Sequence, residues 1–339
     1  MEFENCFIIA ELSANHGGDL GIAKETVRAA KRAGADAIKL QTYTADTITL
    51  NVRNDNFKIN QGTAWDGQYF YDLYKGASLP WEWHEELFAV AKEEGLICFS
   101  SPFDRTAVDF LEKLDAPIYK IASFEITDIP LIEYVASKGK PMIISTGIAT
   151  LEDIELAIEA CKRKGNNDIT ILKCTSAYPA DPEDANLITI PDIIKRFKVN
   201  SGLSDHTLGI EAPVVAVSLG AKVIEKHFIL NKSIGGADAH FSLDEMEFKK
   251  MVEAVRMAEK MMGKVDYDLT EKKKKSRYFS RSLFIIEDVV KGDIITEDNV
   301  RSVRPGIGMH PKYYKDILGK KFSESAEKGT PLQSDLIAQ

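Results

Sequence analysis

Residues 199–227, VNSGLSDHTLGIEAPVVAVSLGAKVIEKH, hold two strand-like runs that end alike. The apolar runs 199–203 and 223–225 have the length and composition of buried strands, and each leads into a polar tail carrying a histidine, His206 and His227. Between them, residues 211–220 (EAPVVAVSLG) are long enough to return the chain across a parallel sheet. Two imidazoles at the same end of neighbouring strands can share one divalent cation, because neutral histidine is the commonest nitrogen ligand. A lone histidine near a strand end is more often a hydrogen-bonded structural residue. The pair, framed by polar residues at other strand ends, favours the ligand reading.

The same alternation runs through the preceding chain. Strands are predicted at 7–10, 37–40, 97–99, 118–121, 142–144 and 169–172. Helices are predicted at 20–33 behind an Asp19 N-cap, at 80–94, at 105–114 and at 128–138 with Pro130 in its first turn. Another follows a Thr150/Asp153 capping box, and the last, 242–262, is expected to open on a Ser242/Glu245 box. Residues 42–78 form a polar and aromatic excursion in which the cluster 65–74 is read as packing. So many successive parallel crossovers predict an α/β chain closed into a (β/α)8 TIM barrel. An open doubly wound sheet is the alternative, but no dinucleotide fingerprint follows any strand. Asn15-His16-Gly17-Gly18 after the first strand has the wrong spacing. The pattern then changes, which predicts a barrel over 1–264, a lysine-rich linker over 265–279 and a small β-rich module over 280–339. Its strands are expected at 283–286, 294–295 and 300–303.

Composition excludes several classes. The chain has 339 residues, 44% apolar and 28% charged, with a net charge of −9. That acidity argues against nucleic acid as a partner, and the basic run 272–275 reads as a solvated face. No apolar run approaches a membrane span and no basic-then-apolar signal opens the sequence. Cys6, Cys98, Cys161 and Cys174 lack CxxC spacing, so reduced thiols in a cytoplasmic protein are expected.

Glu11, Lys39, Gln41, Ser101, Lys120, Ser123, Glu125, Ser145, Ser176, Tyr178, Ser204, His206 and His227 all fall at or just past the C-terminal end of a predicted strand. In a closed barrel those ends converge on the face that carries the active site. Lys39 and Lys120 with hydroxyls at Ser101, Ser123, Ser145 and Ser204 suit a small phosphorylated anion. The histidine pair suits a Lewis-acidic metal with open positions, and Glu125 is a candidate general base. A class I aldolase is the rival, with Lys173 or Lys120 as Schiff-base lysine. A two-metal hydrolase lacks its His-x-His pair on the first strand. His16, His84, His240 and His310 are read as structural.

The runs AELSANHGGD (10–19), IKLQTY (38–43), FSSPFD (99–104), YKIASFEI (119–126), ISTGIAT (144–150), KCTSAYPA (173–180), GLSDHTLG (202–209) and EKHF (225–228) resemble the sialic acid synthase family. Residues 280–308 look like that family's antifreeze-like (SAF) domain, so the resemblance covers nearly the whole chain. Within the family, TYTADTITL (42–50), the Trp65-Asp66-Gly67 region and PWEWHEELF (80–88) look most like the pseudaminic acid branch; the N-acetylneuraminate and legionaminic acid branches are the alternatives.

The resemblance implies condensation of phosphoenolpyruvate with the open-chain aldehyde of an acetamido sugar, releasing phosphate. For the pseudaminic acid branch that sugar is 2,4-diacetamido-2,4,6-trideoxy-altrose. The resemblance places Mn²⁺, Mg²⁺ or Co²⁺ on His206 and His227, and phosphoenolpyruvate on Lys39, Ser101, Lys120, Ser123, Ser145 and Ser204. It places the sugar beside Glu11, Gln41, Ser176, Tyr178 and Asp238, with Glu125 and Glu11 as catalytic carboxyls. Some relatives have Asn where this chain has Ser176. Arg304 matches an arginine that reaches the barrel of the other subunit, so a homodimer with exchanged C-terminal domains is implied. A sugar-binding barrel without activity is the non-enzymatic alternative.

Overall fold

The structure is a computed structural model that describes residues 2–62 and 65–338. Two compact units divide the chain, Met1–Gly263 and Lys264–Gln339.

In the first unit, eight parallel strands close a barrel: β1 (Phe7–Glu11), β2 (Ala37–Thr42), β3 (Ile97–Pro102), β4 (Tyr119–Ile121), β5 (Met142–Ser145), β6 (Ile169–Cys174), β7 (Asn200–Asp205) and β8 (Val223–His227). Closure is made by β8 on β1, in register from Phe7↔Val223 to Glu11↔His227. Alternation of side chains across each strand explains why both faces are apolar. On β1, Ile8 and Ala10 pack outward with Ala23, Val27 and Ala30 of the helix Leu20–Arg32, while Ile9 joins the interior cluster.

Local chemistry sets the helix starts. The Asp19 carboxylate accepts from the Ile22 N–H, and Thr150 and Asp153 form the expected reciprocal box. The final helix departs from expectation. It spans Glu245–Met262 and is boxed by Asp244 and Glu247, not by Ser242 and Glu245. The reason is competition: the Ser242 hydroxyl is already committed, donating to Asp238 O and accepting from Asn15 Nδ2. Likewise the helix expected at 80–94 opens as a 3-10 turn, Trp81–Trp83, before the α-helix His84–Glu93.

The second unit begins with residues read from sequence as linker. They contain a short helix, Glu271–Ser276, capped by the Thr270 side chain on the Lys273 N–H. Good helix formers behind a threonine cap account for it. Beyond it, β9 (Ser282–Ile285) and β10 (Val300–Val303) pair antiparallel over a core of Leu283, Ile285, Val289, Ile295, Val300, Phe322 and Leu332. The strand expected at 294–295 is reduced to a single bridge between Ile294 and Lys321. Among the described residues no helix is long and apolar enough to cross a membrane.

Candidate active site

Strand periodicity builds the site. Ile9, Ala37, Phe99, Ile118, Ile143, Leu172 and Val223 form an apolar layer inside the barrel. From β7 the layer takes Gly202, where a Cβ would stand 2.2 Å from Val223 O and 2.7 Å from Leu172 Cδ2. Two residues further toward the C-terminal mouth come Glu11, Lys39, Ser101, Lys120, Ser145, Cys174, Ser204 and Glu225, all buried. Two residues further again come Gln41, Gly147, Ser176, His206 and His227. An apolar plug thus lies beneath a polar floor, and the floor beneath a rim.

The floor is one ionic network. Lys39 Nζ stands 2.9 Å from Glu11 Oε2 and 3.3 Å from Glu225 Oε1, and Lys120 Nζ stands 3.6 Å from that same Glu225 oxygen. The Ser204 hydroxyl donates to Glu225 Oε1 at 2.9 Å. Lys120 Nζ donates to Ser145 Oγ at 2.6 Å, and Lys39 Nζ reaches Ser101 Oγ at 3.4 Å. Ser123 Oγ accepts from the Gly147 N–H at 3.1 Å. Burial tends to raise the Glu225 carboxyl, but the ammoniums of Lys120 and Lys39 outweigh it and hold the group low, at about 2. Glu11 is pushed up to about 7 by burial, which its contact with Lys39 only partly offsets. Burial lowers Lys120, with Glu225 acting against it, whereas Glu11 and Glu225 overcome the same burial at Lys39 and raise it. The network therefore buries two ammoniums against one ionised carboxylate, Glu225, and one carboxyl held toward its protonated form, Glu11.

On the rim, Gln41 Nε2 donates to Glu11 Oε1 at 3.2 Å and to Ser13 Oγ at 3.0 Å. Glu125 closes the 3-10 turn Ser123–Glu125; its Oε2 is buried without a hydrogen-bond partner, and burial pushes the carboxyl up to about 7. The Ser176 hydroxyl is also buried without a partner, and a Cβ on Gly147 would lie 2.0 Å from it. That contact sets Ser176 beside Ser123 and Gly147.

The rings of His206 and His227 lie 5.2 Å apart between centroids. His206 Nδ1 is 3.0 Å from Thr175 O; a carbonyl only accepts, so Nδ1 carries the proton and the Nε2 lone pair is free. Burial, helped by the ammoniums of Lys39, Lys226 and Lys120, keeps His227 neutral well below the usual imidazole range. Its Nδ1 is buried without a hydrogen-bond partner, 3.7 Å from Asp238 Oδ2. Among the described residues no three His, Cys, Asp or Glu side chains group as a cation site. An orphaned imidazole nitrogen beside a second free lone pair fits a cation held by two protein ligands, with its other positions left to substrate and water. Tyr178 covers the pair at 4.4 Å from the His206 ring, and Trp65 from the excursion after β2 lies 6.1 Å from Tyr178. Trp65 thus stands over the rim as well as packing the excursion.

Lys173 does not join the network. Its Nζ donates to Cys174 O at 2.8 Å and to Thr175 Oγ1 at 3.3 Å. His84 is fully buried between Thr42 Oγ1 and Pro80 O, and His16 Nδ1 accepts from the Gly18 N–H. Arg304 is exposed and belongs to the second unit. Sequence reasoning missed Glu225, the residue that ties both lysines together. The signal was available, since Glu225 lies two residues from both Val223 and His227 on one strand.

Comparison with known proteins adds to this geometry. The NeuB family profile matches residues 26–267, and the SAF domain profile matches residues 280–338. A pseudaminic acid synthase of Campylobacter jejuni subsp. jejuni serotype O:23/36 (strain 81-176) is 52% identical over 327 residues, covering 96% of this chain and 95% of its own. A pseudaminic acid synthase of Helicobacter pylori (strain ATCC 700392 / 26695) is 51% identical, covering 97% of both chains. The crystal structure of N-acetylneuraminic acid synthetase from Leptospira borgpetersenii serovar Hardjo-bovis, in complex with citrate, superposes with a TM-score of 0.72 at 31% identity, covering 80% of this chain and 90% of that one.

Proposed function

The chain belongs to the NeuB family, and from that footing we propose that it condenses phosphoenolpyruvate with 2,4-diacetamido-2,4,6-trideoxy-altrose to give pseudaminic acid and phosphate. The observation that carries the chemistry is the floor, where two buried ammoniums converge on one carboxylate oxygen among serine hydroxyls. Such a group of donors is preorganised for an anion rich in oxygen. The identity to two pseudaminic acid synthases over nearly the full length supports this sugar over the N-acetylneuraminate and legionaminic acid alternatives.

Lys39 and Lys120 bind the phosphate and carboxylate of phosphoenolpyruvate, with Ser101, Ser123, Ser145 and Ser204 orienting its oxygens. Glu11, Gln41, Ser176, Tyr178 and Asp238 line the sugar side. His206 and His227 would hold a divalent ion, which when bound would supply Lewis acidity for the aldehyde. Held in this order, the enol carbon forms its bond to the aldehyde carbon, leaving positive charge at C2 of the former phosphoenolpyruvate. Glu125 takes a proton from the water that adds there, and its raised carboxyl suits proton exchange near neutrality. The C–O bond to phosphate then breaks and phosphate leaves between the two lysines, which balance its charge. Glu11, held toward the protonated form beside Gln41, gives its proton to the aldehyde oxygen as that double bond opens, and the proton taken by Glu125 restores the balance. The ion is Mn²⁺, Mg²⁺ or Co²⁺, since two imidazoles and water accept several divalent ions.

The test is a substrate panel of the diacetamido-trideoxy-altrose, its gluco-type isomer and N-acetylmannosamine, each with phosphoenolpyruvate and Mn²⁺. Phosphate release with the altrose isomer, at a kcat/KM well above the other two, is expected. Preference for either of the others overturns the sugar assignment.

A further inference from the structure

The Asn-His-Gly-Gly run after β1 has no part in the chemistry above, yet its asparagine is fully buried. Asn15 Nδ2 donates both of its hydrogens, one to Phe228 O at 3.0 Å and one to Ser242 Oγ at 2.8 Å. Its Oδ1 has no hydrogen-bond partner, so this amide serves as a double donor. Phe228 directly follows His227 at the end of β8. Ser242 passes its own proton to Asp238 O at 2.6 Å, and the neighbouring Ala14 N–H reaches Asp238 Oδ2 at 3.4 Å. The segment so held also places Phe241 edge-on to the His227 ring at 4.8 Å and donates the Leu243 N–H to His227 O at 2.9 Å.

We propose that Asn15 is a positioning residue for the cation site: one amide staples the end of β8 to the segment bearing Asp238, and so sets the His227 ring against Asp238. The inference rests on the metal reading of His206 and His227. An aliphatic side chain offers neither donor and aspartate is an acceptor. Glutamine would carry the amide one methylene too far in a site without free volume. Partners that orient a ligand from behind typically alter metal affinity by about 10- to 100-fold when removed.

The experiment is Mn²⁺ titration of the full chain, following free Mn²⁺ by electron paramagnetic resonance. Asn15→Leu keeps the branched shape and loses both donors; Ser242→Ala breaks the relay but leaves the Phe228 bond. Phosphoenolpyruvate affinity is measured in parallel without metal, where the lysine floor alone binds. Both variants are expected to bind Mn²⁺ about 10- to 100-fold more weakly while phosphoenolpyruvate affinity stays within about twofold. If Asn15→Leu fails to fold, Ser242→Ala decides alone. Unchanged Mn²⁺ affinity in a folded variant overturns the inference while sparing the metal reading, and so does an equal loss of both affinities, which signals general damage. A wild-type chain that binds no Mn²⁺ removes the metal reading and this inference with it.

Discussion

Replacing Glu225 by glutamine removes the one carboxylate that both floor lysines share. Lys39 keeps Glu11 at 2.9 Å, but Lys120 is left with neutral partners, Ser145 Oγ at 2.6 Å and Ile121 O at 3.2 Å. At the separations of 3.3 and 3.6 Å each lost attraction is on the order of 5 kcal/mol gross at an effective dielectric of about 20. Relief of the carboxylate's own burial offsets part of this, and breaking a buried pair leaves a net loss of about 3–5 kcal/mol. For a unit of this size the loss corresponds to a fall in Tm of roughly 6–20 °C. The assay is thermal unfolding of Glu225→Gln and wild type by circular dichroism, with and without inorganic phosphate. Phosphate should stabilise the variant more than the wild type, since an anion replaces the missing charge. The penalty is an uncompensated ammonium, so the deficit should shrink as pH rises and Lys120 sheds its proton. A Tm within about 2 °C of wild type, far inside the range expected for a broken buried pair, would refute the reasoning.

Burial raises the Glu125 carboxyl to about 7, so turnover should fall as pH drops through about 7, and Glu125→Gln should abolish turnover while sparing Mn²⁺ and phosphoenolpyruvate binding. The same raised value means that the folded state binds the extra proton; the stability this gives is present at low pH and lost as pH rises through about 7, so the glutamine variant should melt higher than wild type at pH 8. On the family resemblance, Arg304→Ala should raise the KM for the sugar and leave that for phosphoenolpyruvate unchanged; equal KM values for the sugar would remove Arg304 from sugar recognition. Borohydride added during turnover should leave every lysine peptide at its native mass, because Lys173 is tied to backbone and Lys120 to Glu225; a mass gain at either would instead establish a Schiff base.

The barrel was legible because short, near-continuous apolar runs, buried on both faces, and helix caps such as Asp19 and Thr150 agree with one another. Residues that the structure gathers in the barrel's polar floor were legible wherever a charged or hydroxyl group interrupted an apolar run near its end, as at Lys39, Lys120 and Ser145. Glu225 escaped because, as the last residue of the run read as 223–225, it was counted into the strand and never weighed for the site; its parity with Val223 and His227 places it inside the barrel. Contacts between segments distant in sequence left no local signal. Trp65 reaching Tyr178 is one such contact, and Asn15 reaching Ser242 is another that moved the start of the last helix to Asp244.

The most direct measurement is phosphate release from phosphoenolpyruvate carrying ¹⁸O in the bridging C–O position, with the diacetamido-trideoxy-altrose and Mn²⁺. One labelled phosphate per nonulosonic acid formed, and none without the sugar, is the predicted result. Consumption of pyruvate in place of phosphoenolpyruvate, or absence of sugar-dependent phosphate with every divalent ion tried, would contradict it.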